Sequence, residues 1–277
     1  MMKKLTYVMC ALIAGPFLIV FAGCAEWSHQ PMRPDLDQAR FVDLTHTFGP
    51  DTIVWPTEQD FRLIGQHAEE TVGGYYYASN RIEMPEHGGT HIDAPIHFSK
   101  DGLTLDHIPI EQLIGIGVRI DVTGPCGDDR DHRVTVQDLE QWEAKHGRIP
   151  DRAIVLLETG YSRFWSSRKE YLGTELRGED GVRALHFPGL HPDAAEWLVR
   201  ARQVKAVGID TASIDYGRST VFEAHVVLLS NGVPVFENLA ELQRLPGRDF
   251  TVMALPMKIA GGTGGPLRVV AILSGTQ

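Results

Sequence analysis

Residues 86–98 read Glu-His-Gly-Gly-Thr-His-Ile-Asp-Ala-Pro-Ile-His-Phe. Three histidines and one aspartate, His87, His91, Asp93 and His97, fall within eleven residues of this stretch. A helix would place His87 and His91 on one face, but Gly88, Gly89, Thr90 and Pro95 oppose a helix. The segment therefore reads as a glycine turn feeding an extended strand. His91 and Asp93 are two apart and point to the same side of that strand. His87 can curl in from the turn. Imidazole nitrogens with one carboxylate oxygen suit Zn²⁺, Mn²⁺ or Fe²⁺, and three protein ligands leave a position free for water or substrate. No cysteine lies nearby, which argues against a structural zinc knot. His97 follows Pro95, so the turn can set it beside the metal, as an acid/base group or as a further ligand. An imidazole titrates in the range that acid/base catalysis needs.

Working outward, Val42–Phe48 opens the domain with a β-like pattern, and Ala78–Glu83 can form a strand. Residues 116–122 alternate apolar and polar, as a half-buried strand does. The apolar runs at 153–159, 204–209, 250–255 and 269–273 suit buried strands, and Val233–Asn238 suits another. Three helices are expected. One is capped by Thr135 and stopped by Gly147, one starts at Pro192 and ends near Ala201, and one spans Val221–Ser230 before Asn231-Gly232. Strands and helices alternate only in the second half, so the expected fold is α/β, a mixed β-sheet with packed helices and not a regular doubly wound sheet. A glycine-rich dinucleotide fingerprint and a phosphate loop are both missing.

Residues 1–23 carry Lys3 and Lys4, an apolar run from Leu5 to Val20, and small residues before Cys24. That order predicts a cleaved lipoprotein-type signal with Cys24 as the lipidation site, the alternative being an uncleaved N-terminal anchor. Either places the domain outside the cytoplasm, held at a membrane surface. Residues 24–38 are expected to form a tether and 39–277 the folded domain. Cys126, within Gly-Pro-Cys-Gly, reads as an incidental thiol in a turn. The net charge of −10, with no Lys/Arg run, argues against nucleic acid as a partner.

The segment from His87 to His97 resembles the His-x-Gly-Thr-His-x-Asp-x-Pro-x-His signature of the cyclase superfamily of metal-dependent hydrolases, which includes bacterial kynurenine formamidases and isatin hydrolases. The resemblance extends from about residue 41 to 274, through Asp43-Leu44-Thr45, Trp55-Pro56, and the blocks at 156–165, 207–215 and 255–268. It implies the swivelling β/β/α fold of that family, a homodimer, and hydrolysis of a C–N bond in an aryl formamide or a lactam. It further implies that His87, His91 and Asp93 hold a divalent metal, Zn²⁺ or Mn²⁺, and that His97 is the proton donor and acceptor. His225 and Glu237 correspond to later ligands of a two-metal centre, with Asp93 as the bridge. Ala224 stands where formamidases often carry a second histidine, which leaves one metal or two open. Trp55 matches a substrate-side aromatic. Asp210 and Asp215 follow an apolar strand, where loops build sites or simply turn, and the glycines of Gly261–Gly265 permit either a close-approach loop beside the site or a plain turn. From another functional class, the alternative is a non-catalytic metal- or ligand-binding lipoprotein; within hydrolases, an ester or lactone is the alternative substrate.

Overall fold

The computed structural model describes residues 36–273. The export segment, Cys24 and nearly all of the tether lie outside the described residues. In chain order the strands are β1 (Arg40–Asp43), β2 (Arg62–Glu70), β3 (Tyr76–Glu83), β4 (His91–Asp93), β5 (Ile114–Asp121), β6 (Arg133–Val134), β7 (Ile154–Glu158), β8 (Gly189–Leu190), β9 (Ala206–Ile209), β10 (Val235–Glu237), β11 (Phe250–Pro256) and β12 (Gly264–Leu273). The helices are α1 (Thr123–Asp128), α2 (Val136–His146), α3 (Arg168–Leu172), α4 (Gly178–Arg183), α5 (Pro192–Arg202) and α6 (Glu223–Ser230).

The main sheet runs β1-β12-β11-β5-β7-β9-β10-β4, and β4 also pairs with β12. Seven strands therefore close into a barrel-like sheet, with β1 outside on β12. Strands β5, β7, β9 and β10 are parallel neighbours, while β11, β12 and β4 join antiparallel. The run Ile154-Val155-Leu156-Leu157 shows why the sequence reads as continuous apolar here. Ile154 and Leu156 join one buried cluster with Ile92, Ala206, Phe236, Val252 and Val269, drawn from around the closed sheet. Val155 and Leu157 join the other, against Leu139 and Trp142 of α2, Ala195 and Leu198 of α5, and Leu228 of α6. A parallel strand covered on both faces has no polar side to show.

The three expected helices form. Thr135 and Asp138 make a reciprocal capping box on α2, Pro192 opens α5, and α6 begins two residues later than expected, at Glu223. Other features depart from expectation. The sheet is mixed with packed helices, as expected, but it also closes, which the sequence pattern did not indicate. Gly-Pro-Cys-Gly lies within α1 and not in a turn; burial there pushes the Cys126 thiol well up, as suits an inert thiol. The expected strand at 78–83 is one arm of a longer β2–β3 hairpin that is exposed along most of its length.

His46 supplies a pH-dependent stability prediction. Its ring stacks on Trp165 at 4.0 Å, and burial lowers its pKa from 6.5 to about 4. Below pH 6.5 the unfolded chain takes up a proton that the folded chain refuses. Stability present above pH 6.5 is thus lost progressively as the pH falls to 4, by up to ~3 kcal/mol. His46→Phe keeps the stacking surface and should flatten this part of the profile. Urea unfolding of both proteins at pH 7 and pH 4.5 checks it; equal pH slopes would refute it.

Candidate metal centre and active site

Strand β4 is wedged between β10 and β12. Its central residue, Ile92, belongs to the barrel's inner cluster. Alternation along a strand then turns His91 and Asp93 to the opposite face. In the β4–β10 register Glu237 sits directly across from His91. Antiparallel partners share a face, so the register alone gathers His91, Asp93 and Glu237, and all three are buried. His91 Nε2 lies 3.3 Å from Asp93 Oδ1 and 3.5 Å from Glu237 Oε2. The other ring nitrogen, Nδ1, is 2.9 Å from the Gly89 carbonyl. Donation to that carbonyl leaves Nε2 as the nitrogen turned toward the carboxylates. Asn238 Nδ2 donates to the same carbonyl at 2.7 Å and itself accepts from Tyr171 at 2.9 Å, so the glycine turn is tied to the core.

Helix α6 contributes His225 in its first turn. His225 Nε2 is 3.0 Å from Glu237 Oε1 and 3.3 Å from Asp93 Oδ2. Its Nδ1 meets Asp215 Oδ2 at 2.7 Å. The Asp215 carboxylate also accepts the backbone N–H groups of Ala224 and His225, at 3.0 and 3.1 Å. One buried aspartate therefore caps the helix start and aims its histidine. His87 closes the other side, with Nδ1 2.6 Å from Asp93 Oδ1. The two oxygens of Asp93 thus face different histidines, which is the disposition a bridging carboxylate needs. His97 ends a short turn, Pro95–His97, and its ring lies over that of His87 at 3.8 Å, 20° from parallel.

The charges are strongly coupled. Burial disfavours protonation of His91, but the Asp93 and Glu237 carboxylates outweigh it and hold its pKa at about 9. His225 is likewise held well above its usual value, against burial, by Asp215, Asp93 and Glu237. Burial would raise the Asp93 carboxyl, yet the surrounding histidines pull it well down. Glu237 is pushed up by burial and by the charge of Asp93. His97 goes the other way: burial, opposed only partly by Asp93, lowers it to about 4. It is then neutral near pH 7 and able to accept a proton.

These groups floor a cavity of about 210 Å³ walled by Ile53, Trp55, Phe98, Ala212 and Phe222. Trp55 stands 6.4 Å from Phe222, and Phe98 stacks on His225 at 4.7 Å. Among the described residues no Lys or Arg lines the cavity. The structure therefore brings His87, His91, Asp93, His97, His225, Glu237 and Trp55 together. It separates Asp210, which accepts from the Thr159 backbone at 2.7 Å and its hydroxyl at 2.6 Å and so fastens the loop after β7. Phe98 and Phe222 were not singled out from the sequence; an aromatic beside a histidine motif is too common a pattern to mark a wall.

Gly264 is a close-approach position. It pairs with Asp93, and an added Cβ would overlap His87 Cε1 and lie 2.6 Å from the Ile92 carbonyl oxygen. Neither strand can retreat without opening the β4–β12 pairing. Gly264→Ala should lose about 2–3 kcal/mol of stability and weaken metal retention. Urea unfolding with and without chelator checks both; an unchanged midpoint would contradict the packing.

The donors fit a divalent cation. Two buried carboxylates, Asp93 and Glu237, sit within one cluster of imidazoles, and burying both charges is costly without a cation between them. The ligating atoms of His91, Asp93 and Glu237 lie within 4.8 Å of one another, as do those of His87, Asp93 and His97. A family model described as "Putative cyclase" matches residues 42–216. A kynurenine formamidase from Erythrobacter litoralis is 28% identical over 84% of this chain and 94% of its own. The solved structure of isatin hydrolase A from Labrenzia aggregata, bound to benzyl benzoate, superposes with a TM-score of 0.77 at 34% identity, covering 86% of this chain and 95% of that one. A structure described as a potential metal-dependent hydrolase with cyclase activity gives a TM-score of 0.62 at 25% identity, over 86% and 99% of the two chains.

Proposed function

This chain belongs to the cyclase family, and on that premise we propose that it is a metal-dependent hydrolase opening the C–N bond of a small, neutral aromatic lactam of the isatin type. The cavity carries this reading. Aromatic and aliphatic side chains line it beside Glu58, Ser213 and Asn238, its floor holds the ligand set, and among the described residues no Lys or Arg lines it. N-Formylkynurenine bears an ionised carboxylate, which would enter such a pocket without a partner. A flat, uncharged bicyclic amide would lie against Trp55 and Phe222 with its carbonyl at the floor.

His91, Asp93, His225 and Glu237, with His87, would hold Zn²⁺ or Mn²⁺, as one ion or as two sharing Asp93. When bound, such an ion polarises a carbonyl and lowers the pKa of water toward about 7. The chain's own residues do the rest. The apolar walls orient the ring and limit bulk water. His97 accepts a proton from the attacking water as its oxygen joins the carbonyl carbon. It then returns that proton to the ring nitrogen as the C–N bond breaks, leaving an aryl amine and a carboxylic acid that ionises to a carboxylate by releasing the second proton of the water to solvent. A non-catalytic binder has no need of a neutral imidazole beside its ligand set.

The experiment is a side-by-side assay of isatin and N-formylkynurenine with the protein loaded with Mn²⁺ or Zn²⁺. Isatin should be favoured in kcat/KM by at least ~10-fold, about the value of one unpaired buried group. Preference for the formamide would overturn the substrate class. Metal binding without cleavage of any amide, lactam or ester would overturn the enzyme itself.

Location and assembly belong to the same proposal. The basic, apolar and small-residue order ending at Cys24 supports an exported lipoprotein held at a membrane surface; Cys24→Ala should shift the protein from the membrane to the soluble fraction. The β2–β3 hairpin leaves Leu63, Tyr75, Tyr76 and Ile82 exposed. A lone two-stranded ribbon is marginal in water, which supports a homodimer that covers it. Light scattering should give twice the chain mass, and Tyr76→Asp with Ile82→Asp should reduce it.

A further inference from the structure

Two residues outside the ligand set converge on His87. Thr263, in the loop before β12, places its hydroxyl 2.9 Å from His87 Nε2. The same hydroxyl is 2.6 Å from Glu86 Oε2, and the Thr263 backbone N–H donates to that oxygen at 3.1 Å. Glu86 thus precedes His87 in sequence, yet reaches it through a residue 177 positions away.

The direction of these bonds follows from counting protons. A carboxylate only accepts, and a threonine hydroxyl has one proton to give. At 2.6 Å the hydroxyl donates to Glu86. Its oxygen can then only accept from His87, so Nε2 carries the imidazole proton. With Nε2 keeping its proton, Nδ1, which faces Asp93 at 2.6 Å, is the nitrogen whose lone pair a bound cation would take. His91 and His225 are aimed with the opposite nitrogen, since their Nδ1 atoms are engaged by Gly89 and Asp215 and their Nε2 atoms face inward. His87 is therefore the histidine whose ligating atom must be set differently. It is also the least buried of the three, with 24% of its side chain exposed, against 3% and 5%, so burial alone does not fix its ring.

We infer that Glu86 and Thr263 are positioning residues for His87, a relay that sets its ring and tautomer so that Nδ1 faces the metal centre. The inference rests on the proposed role of His87 as a ligand. Removing either member lets the ring rotate or the hydroxyl donate to Nε2, which would move the proton to the ligating side. Partners of this kind typically alter metal affinity by about 10–100-fold.

The test is competition for Mn²⁺ and Zn²⁺ against a chromophoric chelator, with thermal melting of each metal-free variant alongside. Thr263→Val and Glu86→Ala should each weaken affinity by ~10–100-fold while leaving the metal-free melting temperature close to wild type. Thr263→Ser keeps the hydroxyl and should restore affinity to within about threefold. Because the two residues act in series, the double variant should be no worse than Thr263→Val alone. His87→Ala separates the two levels of the claim. If it loses metal while Thr263→Val and Thr263→Ser both bind as wild type, the relay is wrong and the ligand assignment stands. If His87→Ala itself binds as wild type, His87 is not a ligand and the underlying reading fails. Equal losses in Thr263→Val and Thr263→Ser would also overturn the relay, since the hydroxyl would then be irrelevant.

Discussion

Asp93→Asn should strip the ion from the protein and abolish measurable turnover. The side chain is nearly the same shape, so the change isolates charge. Asp93 is the carboxylate here that meets all three histidines: Oδ1 lies 2.6 Å from His87 and 3.3 Å from His91, and Oδ2 lies 3.3 Å from His225. An amide offers one oxygen and one NH₂ group, so on one side a donor would replace an acceptor. Outer partners of metal ligands alone are worth about 10–100-fold in affinity. Loss of a shared, buried anion should exceed that, with at least a ~10³-fold fall in kcat/KM, comparable to removing a principal transition-state donor. The same variant has a stability signature. Metal at ~100 times its Kd stabilises the folded state by about 2.7 kcal/mol, which is roughly 5–10 °C in Tm for a domain of this size. Chelation should lower the wild-type Tm by that amount and leave Asp93→Asn unmoved. Elemental analysis after dialysis, steady-state kinetics and melting curves with and without chelator check the three parts. Full metal occupancy in Asp93→Asn would remove Asp93 from the ligand set.

The sequence carried the site further than it carried the fold around it. His91 and Asp93 were legible because a strand has a period of two and the flanking Gly and Pro exclude a helix. Glu237 was legible as a carboxylate in an apolar strand, but its position opposite His91 depends on a β4–β10 pairing between segments more than 140 residues apart, and local pattern does not encode such registers. Asp215 could be seen only as an acid after a buried strand. Its hold on His225 and on the start of α6 arises when the loop after β9 folds over the helix. Asp210 has the same sequence context and does a different job, fastening Thr159 and Gly160, so the local signal could not distinguish them. Barrel closure was hidden for a related reason. It depends on three residues of β4 bridging β10 and β12, and so short a strand between glycine and proline carries no closure signal. The first arm of the hairpin, Arg62–Glu70, was missed because both its faces are exposed, leaving no apolar alternation to read.

His97→Ala is the substitution that distinguishes chemistry from metal binding. Burial keeps this imidazole neutral near pH 7, it lines the cavity, and it lies parallel over His87. If it shuttles the proton, kcat should fall by about 10²–10⁴-fold, the usual worth of a positioned acid/base. Metal content should stay at the wild-type level, and KM should change little, because the aromatic walls are untouched. Added imidazole should restore part of the rate by occupying the space left open. Loss of the metal together with the activity would instead make His97 a ligand, a role its nitrogen can reach, since it lies within 4.8 Å of the ligating atoms of His87 and Asp93. The two outcomes are exclusive because the shuttle needs a lone pair free of the ion, whereas a ligand has given that pair away. The burial that lowers the pKa of His97 serves the first role directly: it makes the ring neutral before water arrives and ready to give up the proton once the ring nitrogen departs.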